Sequence, residues 1–458
     1  MHHTISEHHA IITTLKTNMD IQELYRLYLQ HPEVTTDSRN CPEGSIFIAL
    51  KGASFDGNKF ARAALDKGCS YAVIDEKEYD DESDDRIILV DDCLLTYKEL
   101  AREHRRRFDI PVIGITGTNG KTTTKELLSA VLAEKYNVMH TEGNFNNDVG
   151  VPKTLLRLND EHDIAVVEMG ASHVGDIKKL VDYVEPTCGL ITNVGRAHLQ
   201  GFGSFEGVMQ AKGELYDYLK ANHALIFLNT GNEHLQDMAR QRGLDNIISY
   251  GPDKQAQMWG EVVSCEPFLK LRWSTSLRNL SSPFSPLEVS THLIGTYNLD
   301  NVLAAITVGL HFGVSAEQIC HALENYVPSN NRSQFVETKR NKLIVDAYNA
   351  NPTSMAAAID NFERIGTAQP KMAILGDMRE LGDVSEEEHQ KIADMLKASG
   401  INTVWLVGDE FAKTSCDFRK FKDVEEVKAA IATEQPSGFC VLIKGSNGMH
   451  LSQLTEEL

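Results

Sequence analysis

The chain contains no apolar run approaching the ~18 residues that a bilayer-crossing helix needs, which argues against a membrane-spanning segment. Its first residues hold no apolar h-region, so no secretory signal is expected. The eight cysteines (41, 69, 93, 188, 265, 320, 416 and 440) include no Cys-x-x-Cys pair. Scattered through a long chain, they read as reduced, mostly buried thiols and not as a disulfide frame. Positive charge is also short: 45 Lys and Arg stand against 65 Asp and Glu, a formal net charge of −20. That balance disfavours nucleic acid and anionic membrane as partners, because both need basic surface. It leaves room for a local phosphate site built from backbone dipoles and a few cations. These absences together point to the cytoplasm. No internal repeat or low-complexity segment is present.

What is present is an ordinary globular composition, 42% hydrophobic and 24% charged. The most informative stretch is Ile113-Gly-Ile-Thr-Gly-Thr-Asn-Gly-Lys121-Thr122-Thr123. The apolar run Ile110–Ile115 reads as a buried strand, and Leu127, Leu128, Val131 and Leu132 lie at helical spacing after the loop. Strand, glycine loop, Lys-Thr and helix form a phosphate cradle, with backbone N–H groups and a helix N-terminus facing an anion. Gly117, Thr118, Asn119, Gly120 and Thr123 would line it. Lys121 would reach the β- and γ-phosphates and the Thr122 hydroxyl would hold Mg²⁺. The usual pattern has a further glycine where this chain has Ile115. The competing reading is a tight strand-to-helix turn with an exposed lysine. The full strand–loop–helix context favours ATP or GTP binding.

A length of 458 residues suggests roughly three domains. Residues 1–18, with His2, His3, His8 and His9, read as a loose extension, and the fold is expected to start near Met19. Residues 19–108 read as a small α/β domain. Its strands are Ile46–Leu50, Tyr71–Ile74 and Ile87–Val90, and a helix near Tyr97–Phe108 ends in Arg105–Arg107. Residues 109–326 form the nucleotide-binding domain, with strands at Ile164–Val167, Gly189–Val194 and Ala224–Leu228 alternating with helices, the pattern of a mainly parallel sheet. Residues 258–294 alternate like antiparallel strands around the polar loop Ser281–Pro286. Residues 327–458 restart the alternation at Leu343–Val345, Met372–Leu375, Val404–Val407 and Val441–Ile443. There Ser385-x-x-Glu388 reads as a capping box opening a helix with Ile392, Met395 and Leu396 on one face. The expected fold is α/β in three domains: a central P-loop-type, mainly parallel sheet flanked by a small N-terminal α/β domain and a Rossmann-like C-terminal domain.

Other residues gain interest from their place at strand ends, where open α/β sheets bind ligands. Glu168, in Val166-Val-Glu168-Met-Gly-Ala-Ser172-His173, ends a strand and suits a Mg²⁺ shared with phosphates. His198, in Thr192-Asn-Val-Gly-Arg-Ala-His198, follows another strand end. Lys212, in Gln210-Ala-Lys-Gly-Glu214, read alone is a surface lysine on a helix. Asn144–Pro152 is an amide-rich loop suited to a polar neutral ligand, or a plain turn. Gly295-Thr-Tyr297-Asn298-Leu-Asp-Asn301 either presents amides to a base or simply starts a helix. Asp346–Ser354, Gly376–Gly382 and Lys444–Gly448 are three polar loops at three strand ends, consistent with one shared binding edge.

On these residues the chain resembles the Mur ligase family, the ATP-dependent amide-bond ligases of peptidoglycan synthesis. The anchors are Gly117–Thr123, Glu168, Asn193–His198, Lys212, Gly295–Asn301 and Arg332, and the resemblance covers nearly everything after residue 19. Within the family it is most similar to the branch that joins D-alanyl-D-alanine to UDP-N-acetylmuramoyl-tripeptide, through the runs Asn144–Pro152, Ala211–Glu214, Asp346–Pro352, Leu375–Met378, Glu380–Gly382 and Lys444–Ser446. Asp37-Ser38-Arg39 and Gly44–Phe47 are similar to the domain that holds the UDP end, and residues 327–458 would hold the incoming dipeptide. The resemblance implies ATP and two Mg²⁺ ions, with Thr122 and Glu168 serving the first and His198 and a CO₂-carbamylated Lys212 the second. It places Asn298 and Asn301 near the adenine, Asp346 on the ribose, and Arg332 on the nucleotide. It places Ser38, Arg39, Asn146, Asn147, Ser172, Asn349, Asn351, Asp377 and Lys444 on the substrates. It also implies a monomer. Two residues depart from the pattern: Tyr297 stands where many relatives have His, and Asn447 where that branch commonly has Arg. The alternatives are a Mur-type ligase adding a different amino acid, a folylpolyglutamate synthase-like ligase, or a GTP switch. The switch lacks a guanine-reading Asn-Lys-x-Asp run, since Asn341-Lys-Leu-Ile has no Asp.

Overall fold

A computed structural model describes residues 19–277, 285–329 and 332–458. The expectations for His2, His3, His8, His9 and for residues 281–284 of the polar loop lie outside these. The described chain forms two compact units, one of residues 19–110, 141–163 and 182–185, the other of 111–140, 164–181 and 186–458.

The first unit is built on a parallel four-stranded sheet in the order Val34–Thr35, Ile46–Ile48, Tyr71–Ile74, Ile87–Leu89. Ile46, Phe47, Ile48, Ala72, Val73 and Ile74 are almost wholly buried, the continuous apolar pattern of strands covered on both faces. Helix Ile21–Gln30 opens with a true capping box between Asp20 and Glu23. The helix expected near residues 97–108 starts earlier and runs Cys93–Arg106, because Asp92 caps it by accepting from the Leu95 N–H at 2.8 Å. Its basic end is not all solvated: Arg105 is buried and donates to the carbonyls of Val184 (3.1 Å) and Phe108 (2.9 Å).

The second unit carries two sheets. The larger has nine strands, in the order Leu287–Ile294, Phe268–Thr275, Met258–Cys265, Ile247–Gly251, Leu225–Asn229, Cys188–Ile191, Val112–Thr116, Ile164–Glu168, Val138–His140. From Met258–Cys265 to Val138–His140 the pairs are parallel, and the two pairs at the other end are antiparallel, as the alternating pattern suggested. Helix Leu299–His311 is buried along nearly its whole length and packs against helix Lys121–Ala133, as its all-round apolar sequence requires. The smaller sheet has six strands, Gln334–Glu337, Lys342–Asp346, Cys440–Lys444, Lys371–Gly376, Thr403–Val407 and Arg419–Phe421, parallel except at the first pair. The sequence reading missed its two short edge strands.

One local expectation is corrected. Ser385 does not cap a helix: the 3-10 turn Gly382–Val384 runs straight into helix Ser385–Ala398, whose start has no side-chain cap. Ser385 is already helical (φ −57°, ψ −50°), and its hydroxyl donates to Glu410 at 2.7 Å. All eight cysteines are free thiols. Among the described residues no helix is long and apolar enough to cross a membrane.

Candidate active site

The fully buried strand Val112–Thr116 delivers the glycine loop between the carboxyl ends of its neighbours Cys188–Ile191 and Ile164–Glu168, the crevice position where open α/β sheets take ligands. Gly117 sits at φ 148° and a β-carbon on it would meet Thr192 Oγ1 at 2.0 Å; Gly120, at φ 77°, would meet Asn301 Oδ1 at 2.5 Å. Neither position admits a side chain without displacing a polar neighbour. The strand-end pair Thr192-Asn193 braces the loop. Thr118 N–H donates to Asn193 O (3.0 Å), Asn119 N–H to Asn193 Oδ1 (3.0 Å), and Thr192 Oγ1 to Asn119 O (2.6 Å). Lys121 begins the helix with its ammonium folded onto Gly117 O (2.7 Å) and Thr118 O (3.0 Å). Burial pushes its pKa down to about 8, opposed by the Glu168 carboxylate. The buried Thr122 hydroxyl donates to Glu168 Oε1 at 3.2 Å, so the two expected Mg²⁺ ligands do meet. Thr123 is half-buried beside them.

Lys212 is not on the surface: it is 2% exposed. Helix Phe205–Ala221 buries Val208, Leu215 and Leu219, and Lys212 occupies the matching position of that i, i+4, i+7, i+11 stripe. A lysine interrupting an apolar stripe was the available signal. Its Nζ lies 3.4 Å from Ala171 O and 5.3 Å from the centre of the Phe202 ring. Burial, reinforced by the Lys121 charge, holds its pKa well below the lysine range. His198 adopts a left-handed backbone (φ 51°), and its Nδ1 pairs with the Glu380 carboxylate. Burial lowers its pKa, with Glu380 opposing. Ser172 and His173 donate their N–H groups to Asp176 Oδ2. That is the start of the helix Asp176–Val184, which is the structural use of this loop. Among the described residues no group of three or more His, Cys, Asp or Glu side chains converges to hold a metal.

Asn298 and Asn301 are buried and joined in a relay: Thr124 Oγ1 donates to Asn301 Oδ1 (3.0 Å), Asn301 Nδ2 to Asn298 Oδ1 (2.8 Å), and Asn298 Nδ2 to Ile294 O (2.8 Å). The relay ties helix Leu299–His311 to the loop at Gly120. Tyr297 hydrogen-bonds Ser333 Oγ at 2.7 Å. The Arg332 guanidinium stacks 4.0 Å over the Tyr348 ring, and its buried Nε has no hydrogen-bond partner among the described residues. Asp346 accepts from Lys444 Nζ at 2.5 Å and from the Ser333 N–H at 3.3 Å.

A pocket of about 160 Å³ opens beside these groups, lined by Ala197, His198, Asn349, Ala350, Asn351, Arg379, Glu380, Ser446, Asn447 and Gly448. Asn351 caps helix Pro352–Arg364 and donates from Nδ2 to Asn119 Oδ1 at 2.7 Å, linking the pocket to the glycine loop. Asn349 accepts from the adjacent Ala350 N–H, and its carbonyl from Lys444. Asp377 does not line the pocket. Its carboxylate accepts the N–H groups of Glu410 (3.0 Å) and Phe411 (2.9 Å), capping helix Asp409–Ala412. Arg379 and Glu380, from the same loop, line the pocket instead; the sequence reading placed both in the run 376–382 but gave neither a site role. In the first unit, Arg39 is exposed and paired with Asp37, Ser38 O accepts from Lys67 Nζ, and Asn147 Oδ1 accepts the Val149 and Gly150 N–H groups at a helix start. Asn146 is half-buried in the same loop.

Three family descriptions match successive stretches: Mur ligase family, catalytic domain, over residues 32–105; Mur ligase middle domain over 115–309; and Mur ligase, glutamate ligase domain, over 331–447. The UDP-N-acetylmuramoyl-tripeptide–D-alanyl-D-alanine ligase of Bacillus subtilis (strain 168) is 32% identical over 467 residues, covering 97% of this chain and 98% of that protein. Among solved structures, MurF from Acinetobacter baumannii superposes with a TM-score of 0.83 at 30% identity, with 93% of each chain covered. The MurF ligase from Thermotoga maritima in complex with ADP superposes at 0.82 with 28% identity, over 94% of this chain and 97% of that one.

Proposed function

The chain belongs to the Mur ligase family, and we propose that it uses ATP to join D-alanyl-D-alanine to UDP-N-acetylmuramoyl-tripeptide in peptidoglycan precursor synthesis. The observation that carries this reading is a phosphate loop, an acid–hydroxyl pair and a buried lysine gathered at one sheet edge, in a chain that matches a ligase of that name from end to end. Residues 19–108 serve the UDP end, with Ser38 and Arg39, and Asn146 and Asn147 add to that substrate's contacts. Residues 109–326 bind ATP, and residues 327–458 take the dipeptide. Eight free thiols suit a reducing cytoplasm.

The terminal carboxylate of the tripeptide attacks the γ-phosphorus of ATP; the P–O bond to ADP breaks and an acyl phosphate forms. The amine of the dipeptide, in its neutral form, then attacks the acyl carbon, expels phosphate and loses a proton to give the amide. The first step sets an anion against an anion, so its main obstacle is charge. Lys121 answers it by exchanging two loop carbonyls for phosphate oxygens. Its lowered pKa in the loop rises again beside the triphosphate. Asn298 and Asn301 hold the helix start beside the adenine, Asp346 takes the ribose, and Arg332, with a buried donor that has no partner among the described residues, reaches the nucleotide.

Mg²⁺ fits the residues present. It characteristically takes one or two carboxylates and completes its shell with waters and substrate phosphates, which is what Thr122 and Glu168 offer. Bound there, and at a second site of His198 and modified Lys212, it would draw off charge from the transferring phosphoryl group. Lys212 suits carbamylation, because burial favours its neutral amine, the form that adds to CO₂ with release of one proton. The product is an anion, as costly to bury alone as the ammonium, and Mg²⁺ would be the cation that offsets it. The test is phosphate release from Mg-ATP with UDP-N-acetylmuramoyl-tripeptide, with and without D-alanyl-D-alanine. Release that needs both substrates, with a product heavier by one dipeptide less water, supports the reading. Release with a single amino acid and none with the dipeptide overturns the substrate assignment.

A further inference from the structure

We infer that Arg379 selects the incoming dipeptide by its free carboxylate. The inference rests on the ligase reading above and assigns the second substrate a specificity-determining residue. The carboxylate and guanidinium on the pocket wall are those of Glu380 and Arg379. The Glu380 carboxylate is engaged by His198 Nδ1. Arg379 has no ion-pair partner among the described residues. Its backbone N–H donates to Ser446 Oγ at 3.0 Å, which fixes the root of the side chain, and Nη2 donates to Gly448 O at 3.3 Å. Arg379 lines the pocket with other donors of its five-donor fork available to a ligand, in the planar arrangement that matches a carboxylate. Its neighbours Ser446 and Asn447 are neutral, so the cation of this wall is Arg379 alone.

The pocket also fixes which carboxylate. Its other wall is Ala197 and His198, from the loop that follows strand Cys188–Ile191, together with Asn351, which is bonded to Asn119 of the phosphate loop. Asn351 therefore ties the pocket to the loop where the acyl phosphate would form, and Arg379 lines the same pocket. A dipeptide zwitterion laid along it puts its amine at the reacting end. Its carboxylate then lies two residues away, about 7 Å for an extended chain, at the guanidinium. The carboxylate of the other substrate is consumed at the phosphate loop and has no call on this end. A dipeptide without the terminal charge would lie against the guanidinium without pairing it.

The test compares D-alanyl-D-alanine with its C-terminal amide in the wild-type protein and in Arg379→Leu, an exposed position where folding is not at stake. The wild type should use the acid about 10- to 100-fold better than the amide in kcat/KM, the range of a charged hydrogen-bonded contact. Arg379→Leu should raise KM for the acid by a similar factor and treat acid and amide alike, with KM for ATP and for the UDP substrate unchanged. Arg379→Lys should keep the preference in weakened form. A variant that still prefers the acid by the wild-type factor, or whose defect falls on KM for ATP or the UDP substrate, overturns the inference. A wild-type protein that ligates no dipeptide at all refutes the ligase reading instead, so the two failures are separable.

Discussion

Gly120→Ala tests whether the phosphate loop is locked to the helix behind it. Gly120 has φ 77°, where an L-residue pays about 1–2 kcal/mol of backbone strain. The new methyl would also lie 2.5 Å from Asn301 Oδ1. Asn301 cannot simply swing aside, because Thr124, Asn301, Asn298 and Ile294 are joined by hydrogen bonds of 2.8–3.0 Å. Breaking that relay leaves buried polar groups unpartnered at about 1–3 kcal/mol. The expected total for Gly120→Ala is therefore about 2–5 kcal/mol. Asn301→Ala removes the obstructing oxygen at its own cost of about 1–3 kcal/mol. In the double variant the clash is gone and only the strain and the broken relay remain. It should be less destabilised than the sum of the singles by about 1–3 kcal/mol. Native-state hydrogen exchange on the amides of helix Lys121–Ala133 reads this locally, without requiring a multi-unit chain to unfold in one step. Additivity within about 0.5 kcal/mol would show that the loop and Asn301 are not in contact as described, and the reasoning would fail.

Four further outcomes are expected. Glu168→Gln keeps the size and the Thr122 contact but loses the charge; nucleotide affinity should fall about 10- to 100-fold with Mg²⁺ and hold in EDTA, and an equal loss under both conditions would contradict the metal role. Protein equilibrated with ¹³CO₂ should show a carbamate carbon signal that Lys212→Ala lacks, together with loss of ligation; full activity in that variant would contradict it. His104 is buried with its pKa held below the usual 6.5 by burial, so the unfolded chain takes up the proton first and the first unit should lose stability as pH falls below 6.5, with a shallower acid slope in His104→Gln; an identical slope would remove His104 as the cause. Asp377→Ala should cost about 1.5–3 kcal/mol as two backbone donors lose a charged acceptor, while KM for the dipeptide stays put; a raised KM at full stability would return Asp377 to the substrate site.

How much could be read beforehand follows from how local each feature is. The central parallel strands were mostly legible because burial on both faces leaves an unbroken apolar run, as in Ile164–Val167, whereas Val34–Thr35, Val138–His140 and Ile247–Gly251 were not read. The edge strands Gln334–Glu337 and Arg419–Phe421 were missed because half-exposed residues in them break that run. The strand–glycine loop–helix geometry around Lys121 was legible because strand, glycines, lysine and helix are contiguous. Lys212 lay between these cases. The role expected of it came only from a resemblance, but its burial was written in the stripe of Val208, Leu215 and Leu219 and could have been found by asking which face the lysine occupies.

The loop Gly376–Gly382 marks where such reading stops. Polar residues at a strand end announce a binding edge, yet they do not say which side chain turns inward. Here Asp377 turns back, because a neighbouring helix start offers two N–H groups at 2.9–3.0 Å. Arg379 and Glu380 turn to the pocket, and Glu380 does so from a left-handed backbone (φ 64°) that no composition rule anticipates. The contacts that decide this orientation, Glu380 with His198 and Asn351 with Asn119, join residues 182 and 232 positions apart. A side chain whose direction is set by partners at that separation carries no local signal. The pocket wall is therefore the part that needed coordinates, even though every residue on it lay in a run the sequence had already marked as polar and strand-terminal.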